Sequence, residues 1–250
     1  MPTVYLWLTG FVLLMALATF ATTLRKATPY GRHLEGQSVR TLPSRLAWLI
    51  FASPEWFAFV GTFVWFANEP SVTQWLLLGL WQLHYTHRAI LYPLRMRGHA
   101  SGFPLSGVIF GFIFNCLNGY INAFAVTHAA HLTADWLADP RFVIGAALAA
   151  FGWVVNFQSD SILIGLRADG STGYKVPHGG MFRYVSAANY FGEIVMWCGW
   201  ALMCWTYAGA VFAIFTIANL APRALSHHRW YLSRFPDYPK ARKALIPYVL

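Results

Sequence analysis

Charge is what this sequence has least of. Only 11% of its residues are Asp, Glu, Lys or Arg, against about a quarter in a soluble domain, so most of the chain cannot face water. Acidic residues are the scarcest, nine against 18 basic ones. The three cysteines, Cys116, Cys198 and Cys204, sit singly in apolar segments with no CxxC spacing. That excludes a disulfide framework and offers no zinc-ligand pattern, so no metal is expected. Neither G-x-G-x-x-G nor G-x-x-x-x-G-K-[ST] occurs, which removes the motifs of a Rossmann or P-loop nucleotide site. No internal repeat, low-complexity tract or linker divides the chain, and a single domain over 1–250 is expected.

What is there is apolar: 57% hydrophobic and 18% aromatic residues, with a mean hydropathy of +0.46. Runs near 3–24, 45–67, 72–92, 105–127, 142–164, 186–206 and 208–225 each approach the roughly 20 residues that a bilayer-spanning helix needs. The expected fold is therefore an all-α integral membrane protein with seven transmembrane helices. The first run has Arg25 and Lys26 after it rather than a basic stretch before it, and reads as a retained span instead of a signal peptide. The last two runs are joined by little more than Tyr207–Ala208–Gly209, which predicts a hairpin.

Basic residues test that count. With seven spans and the N-terminus outside, every Lys and Arg among the 18 except Arg141 falls on the cytoplasmic side. The positive-inside rule produces this bias, and a wrong span count would scramble it. The C-terminus, with a tail over 226–250, is then cytoplasmic. The net charge of +9 belongs to cytoplasmic loops facing membrane lipid headgroups and an anionic cofactor, not to nucleic acid. Nothing in the sequence calls for an obligate protein partner. A bacterial inner membrane is the expected location, or the endoplasmic reticulum in a eukaryotic source.

An ionisable side chain inside a bilayer costs about 2.5–3.5 kcal/mol even on insertion scales, so it needs a partner and usually a purpose. Asn156 and Asp160 lie at i,i+4 on one face of the fifth span, and Arg167, seven further on, is expected to return to that face. Asp160 neutralising a snorkelling Arg167 is one reading; a polar site is the other. Asn189 and Glu193, again at i,i+4, can bracket an amide or a ribose hydroxyl, or clasp the helix of Asp160. Arg223, His227 and Tyr231 form a stripe that suits phosphate or lipid headgroups. Tyr85, Arg88 and Tyr92 lie near one face of the third span, in a patch too polar for a simple aromatic belt. Ser53–Pro54–Glu55 reads as an N-cap, a proline at N1 and an acid in the first turn, which predicts a helix start that breaks or kinks the second span. Together these residues outline one polar cavity open to the cytoplasm.

Longer stretches add a resemblance. Asn156-x-x-Ser159-Asp160-x-x-Leu163-x-x-Leu166-Arg167 is similar to a signature of the steroid 5α-reductase family. So are Tyr174-x-x-Pro177-x-Gly179-Gly180 through Asn189-Tyr190-x-x-Glu193, and the tail from His228-Arg229-x-Tyr231 to Leu245-Ile246-Pro247. His84-Tyr85-x-His87-Arg88 and Pro29-Tyr30-Gly31-Arg32-His33 fit the same family. The resemblance implies a seven-helix fold holding NADPH among its C-terminal helices, lined by Tyr30, Asn156, Asp160, Arg167, Tyr174, Asn189, Glu193, Arg223, His227 and Tyr231. It implies that Tyr85 polarises the 3-keto group of a small apolar steroid or sterol-like substrate arriving from the bilayer. Hydride from NADPH would then reduce its Δ4 double bond at C5.

One position departs from the family. The animal enzymes carry Gln-Glu just before the proline of the second span, where this chain has Phe51 and Ala52; its acid, Glu55, follows Pro54. Glu55 is expected to act with Tyr85 in catalysis. A membrane enoyl reductase acting on a polyprenol or a trans-2-enoyl thioester would share the cofactor end. A membrane methyltransferase would not require the Asn156, Asp160 and Arg167 set, and a lipid carrier gives no reason for so many nucleotide-like polar groups.

Overall fold

A computed structural model describes residues 3–25, 39–96, 102–170 and 173–250. Among these run eight α-helices: α1 (Thr3–Arg25), α2 (Ser44–Phe66), α3 (Val72–Thr86), α4 (Tyr92–Arg95), α5 (Leu105–His128), α6 (Pro140–Gly165), α7 (Ala188–Cys204) and α8 (Tyr207–Arg234). Five of them, α1, α2, α5, α6 and α8, are long and apolar enough to cross a membrane. α3 (15 residues) and α7 (17 residues) are shorter. α3, however, continues without a break through a π-helical turn, His87–Leu91, into α4. A two-residue antiparallel pairing, β1 (Thr41–Leu42) with β2 (Phe103–Pro104), ties the approach to α2 to the approach to α5.

The outer surface is apolar, as lipid contact demands: Trp65 is 82% exposed, and Trp7, Leu14 and Val64 also point outward. The interior is aromatic, with Trp81 stacked on Phe59 at 4.5 Å and lying 4.7 Å from Trp200. Helix ends show why the chain turns where it does. Ser71 accepts from the Gln74 amide and Gln74 accepts from the Ser71 amide, a capping box that starts α3. Trp205 adopts a left-handed conformation and Thr206 caps α8 by accepting from Gly209 N. The expected hairpin is therefore present, with its turn two residues before the expected one.

α6 and α7 pack closest of all. Cβ atoms placed on Gly152 and Gly192 would fall 2.4–2.7 Å from the facing helix's backbone, and the same holds for Gly145 and Gly199. The glycines recur every seven residues on each helix and meet in antiparallel pairs, so the two backbones touch, a device common in membrane bundles.

Three expectations are corrected. Pro54 does not start a helix; α2 runs through it from Ser44 to Phe66. Proline removes one N–H and crowds the preceding turn, and the Phe51 carbonyl in that turn accepts from Asn115 Nδ2 of α5. The carbonyl whose helical donor the proline removes is that of Ile50, so the Asn115 bond ties α5 to the same turn without replacing the lost one. The tail does not begin with a helix end at 225, because α8 continues through residues 226–234. Arg167 does not return to the face of Asn156 and Asp160, because α6 ends at Gly165 and Arg167 lies in the turn beyond it.

Candidate active site

A cavity of about 240 Å³ lies between α2, α3, α5, α7 and α8. Its polar wall includes Arg88, Asn189, Glu193 and Arg223; Tyr85 and Ala52 lie on the same cavity, with phenylalanines of α5 and α8. Apolar walls with a few convergent polar groups are what a small-molecule site needs.

Arg88 organises the charged side. It donates from Nη1 to Asp160 Oδ2 at 3.0 Å and from Nη2 to Glu193 Oε2 at 3.2 Å. Its guanidinium lies 4.5 Å from the Trp48 ring centroid and 5.2 Å from that of Tyr92. Asn189 Nδ2 donates to the other Asp160 oxygen at 3.2 Å, and Asn156 Nδ2 donates to the Asn189 carbonyl at 3.0 Å. The touching glycines of α6 and α7 make these short links possible. Asn156 and Asp160 stand behind the cavity wall and reach it through Asn189 and Arg88. Asp160 therefore pairs with an arginine of the α3 rod and not with Arg167. Asn189 does clasp α7 to α6, while Glu193 also faces the cavity.

The stripe on α8 divides. Arg223 lines the cavity, and its buried Nε has no hydrogen-bond partner among the described residues. His227 Nε2 lies 3.2 Å from the hydroxyl of Tyr190, another lining residue. Tyr231 is buried and stacked on Tyr238 at 5.0 Å. Arg167 lies over the Tyr174 ring at 5.5 Å, and Tyr174 meets Trp230 edge-on at 5.2 Å. Tyr30 and the Pro29–His33 motif lie outside the described residues.

Tyr85 is packed by Trp81 at 5.2 Å and by His84 at 4.9 Å between ring centroids. It shares the cavity with Glu193 and Arg88. Glu55 sits one turn along α2 from Ala52, has no exposed surface and accepts from Asn118 Nδ2 at 2.8 Å. Asn115, Asn118 and Asn122 of α5 were not expected at the site. Their signal was available, since three amides at i, i+3 and i+7 make a polar stripe in an otherwise apolar span.

Chemically, the site offers a phenol, an acid and an arginine-rich polar wall beside apolar surface. The family model for 3-oxo-5-alpha-steroid 4-dehydrogenase matches residues 101–250. The chain is 42% identical to the steroid 5-alpha-reductase DET2 of Solanum lycopersicum over 243 residues, 96% of this chain and 94% of that protein. It is 41% identical over 237 residues to 3-oxo-5-alpha-steroid 4-dehydrogenase 1 of Homo sapiens, covering 93% and 90% of the two chains. The protein of the same name from Mus musculus is 41% identical over 246 residues, covering 98% and 95%.

Proposed function

The chain belongs to the 3-oxo-5-alpha-steroid 4-dehydrogenase family, and from that premise we infer that it is an oxidoreductase reducing the Δ4 double bond of a 3-oxo-Δ4-steroid. It is an integral membrane enzyme, and its substrate enters from the bilayer. The reading extends to seven spans, with α3–α4 and α7 crossing beside the five long helices, the N-terminus outside and the basic C-terminal end in the cytoplasm. The membrane is a bacterial inner membrane or, in a eukaryote, the endoplasmic reticulum.

NADPH is the reductant in this reading. The observation that carries it is that one cavity is lined both by Tyr85 and by Arg223, whose buried Nε is unpartnered among the described residues. A guanidinium fork is suited to phosphate oxygens, and Asn189 and Glu193 on the same wall offer amide and carboxylate partners for hydroxyl and carboxamide groups. His227 reaches that wall through Tyr190, and Asn156 and Asp160 hold it from behind. Arg167, Tyr174, Tyr231 and Tyr30 belong to the outer part of the same binding region. When bound, NADPH supplies the hydride delivered to C5. Tyr85 donates a hydrogen bond to the 3-keto oxygen, which gains charge as the enolate forms, and Glu55 orients that end of the site. Arg88 holds Asp160 and Glu193 in place while leaving Glu193 on the cavity.

The test is loss of NADPH absorbance with testosterone or progesterone, set beside a polyprenol enone, a trans-2-enoyl thioester and NADH. Turnover of the 3-oxo-Δ4-steroids with a preference for NADPH is expected. Turnover of only the prenyl or acyl substrates would overturn the assignment.

A further inference from the structure

Glu55 is the end of a chain of hydrogen bonds that starts two helices away. Trp200 Nε1 of α7 donates to Asn122 Oδ1 at 3.1 Å. Asn122 Nδ2 donates to Asn118 Oδ1 at 3.0 Å, and Asn118 Nδ2 donates to Glu55 Oε1 at 2.8 Å. All four side chains are buried, and Glu55 and Asn118 have no exposed surface at all. Burying two carboxamides and a carboxyl group costs free energy unless their polar atoms are bonded, so the arrangement demands a reason.

The direction of the chain is fixed by chemistry. An indole N–H can only donate, so the atom of Asn122 that meets it is the amide oxygen. The Asn122 nitrogen then faces Asn118, which must present its own oxygen, and the Asn118 nitrogen is left to face Glu55. Every dipole points the same way and ends on Oε1. That oxygen is an acceptor in either protonation state of Glu55, so a proton carried by Glu55 sits on Oε2. Oε2 is buried and is the carboxyl oxygen without a hydrogen-bond partner among the described residues.

The same tryptophan closes a second route. Trp200 packs on Trp81 at 4.7 Å, and Trp81 packs on Tyr85 at 5.2 Å between ring centroids. Glu55 and Tyr85 are thus held from one residue, the first through amides and the second through stacked rings. Ala52, which lines the cavity, provides no acid one turn earlier on α2, so the carboxyl group that α2 offers near this end of the site is the one the amides hold.

We propose that Asn118, Asn122 and Trp200 are positioning residues for the reaction, a one-way amide ladder that fixes the orientation of Glu55 and leaves Oε2 as its proton-carrying oxygen. This deepens the functional reading above and rests on it. The ladder acts through Glu55 alone, and α5 thereby becomes part of the substrate end of the site.

The test uses the full-length enzyme in detergent or vesicles, with kcat, KM and pH–rate profiles for a 3-oxo-Δ4-steroid. Asn118→Leu is expected to lower kcat about tenfold or more and to displace the pH–rate profile while leaving the KM for NADPH within about twofold. Trp200→Phe, which removes the N–H together with part of the indole and keeps an aromatic ring toward Trp81, is expected to give a smaller change of the same kind; it tests the ladder if Asn118→Leu fails to fold. Added to Glu55→Gln, neither substitution should lower kcat much further, because groups that act through one residue are not additive. Wild-type kcat and pH profile in a folded Asn118→Leu or Trp200→Phe enzyme, or full additivity with Glu55→Gln, would overturn the ladder. Wild-type turnover in Glu55→Gln itself would instead remove the role given to Glu55 and leave the ladder a packing device.

Discussion

The Arg88 assembly and the Glu55 assembly both bury a carboxylate among apolar helices, but the first answers it with a cation and the second with a file of neutral dipoles. Arg88 draws Asp160 of α6 and Glu193 of α7 onto the α3 rod. Its charge is locked by carboxylates on two helices, with two aromatic rings against the guanidinium. The Glu55 assembly involves α2, α5 and α7 but contains no cation within its chain of bonds. One assembly fixes where charge sits; the other fixes which way a single carboxyl group faces. In the proposed function, an anionic, hydroxyl-rich cofactor would use the first assembly and the polarised ketone the second.

The strongest way to separate the two assemblies is to remove the group between them. Tyr85→Phe should lower kcat by roughly 10²–10⁴-fold, the range of a lost general acid, while NADPH binding measured by fluorescence stays as in the parent enzyme. Normal turnover would show that the ketone is polarised from elsewhere. Next comes the cation itself. Arg88→Met leaves Asp160 and Glu193 without their shared partner, and removing one member of a buried ion pair costs about 3–5 kcal/mol, visible as a large fall in Tm in detergent together with weaker cofactor binding. Glu55→Gln, which keeps shape and removes no cation's partner, should cost less than about 1 kcal/mol. Similar Tm losses for the two would erase the contrast between locked charge and locked direction.

A smaller effect is expected where α6 meets α7. Gly152→Val places methyl groups against the Met196 amide and the Gly192 carbonyl, and overpacking of this kind costs about 1–3 kcal/mol. The Asn189–Asp160 link should loosen with it, raising the KM for NADPH while kcat with saturating cofactor is retained. Unchanged Tm and KM would mean that the helices can part without harm.

Smallest of all is the exposed counterpart of the Arg88 pair. Asp139 caps α6 and receives the Arg141 side chain at 2.8 Å, and the hydrogen bond from Arg141 holds its carboxyl group at about 2. A depressed value adds stability above the ordinary carboxylate pKa, near 4, and loses it as pH falls toward 2. Asp139→Asn should therefore unfold slightly earlier than the parent above about pH 4 and together with it near pH 2. A gap that widens on acidification would contradict that sign.

Much of this was legible in the sequence, because helices in lipid announce themselves by length and apolarity and because i,i+4 spacing puts Asn156 with Asp160 and Asn189 with Glu193. The hairpin at Trp205–Thr206 was legible for the same reason. What was hidden is what depends on contact between distant segments. Arg88 meets its acids across 72 and 105 residues, whereas the nearer Arg167 was the natural partner to expect and falls beyond the end of its helix. Pro54 looked like a start because Ser-Pro-Glu is a good helix opening, and the packing of α5 against α2, with Asn115 bonded to the turn before it, could not be seen. The departure at Phe51 and Ala52 was visible, but the amides that hold Glu55 came to view only when α5 was laid against α2. Tyr231, which sequence spacing put on a stripe with Arg223, is drawn into a stack with Tyr238 by the chain that follows α8.

The π-helical turn after Thr86 carries a consequence of its own. The Tyr92 amide bonds five residues back, to His87, so the rod holds one residue more than an ordinary helix would in that stretch. With about 100° of rotation per residue, the segment after the turn is out of phase with the segment before it by roughly that angle. Tyr85 and Tyr92 therefore reach the same cavity from different bearings, and Arg88 sits in the zone where the phase slips. The helix works as a spliced part, two registers joined end to end, and deleting a single residue at the splice would leave both halves helical while turning one of them away from the site.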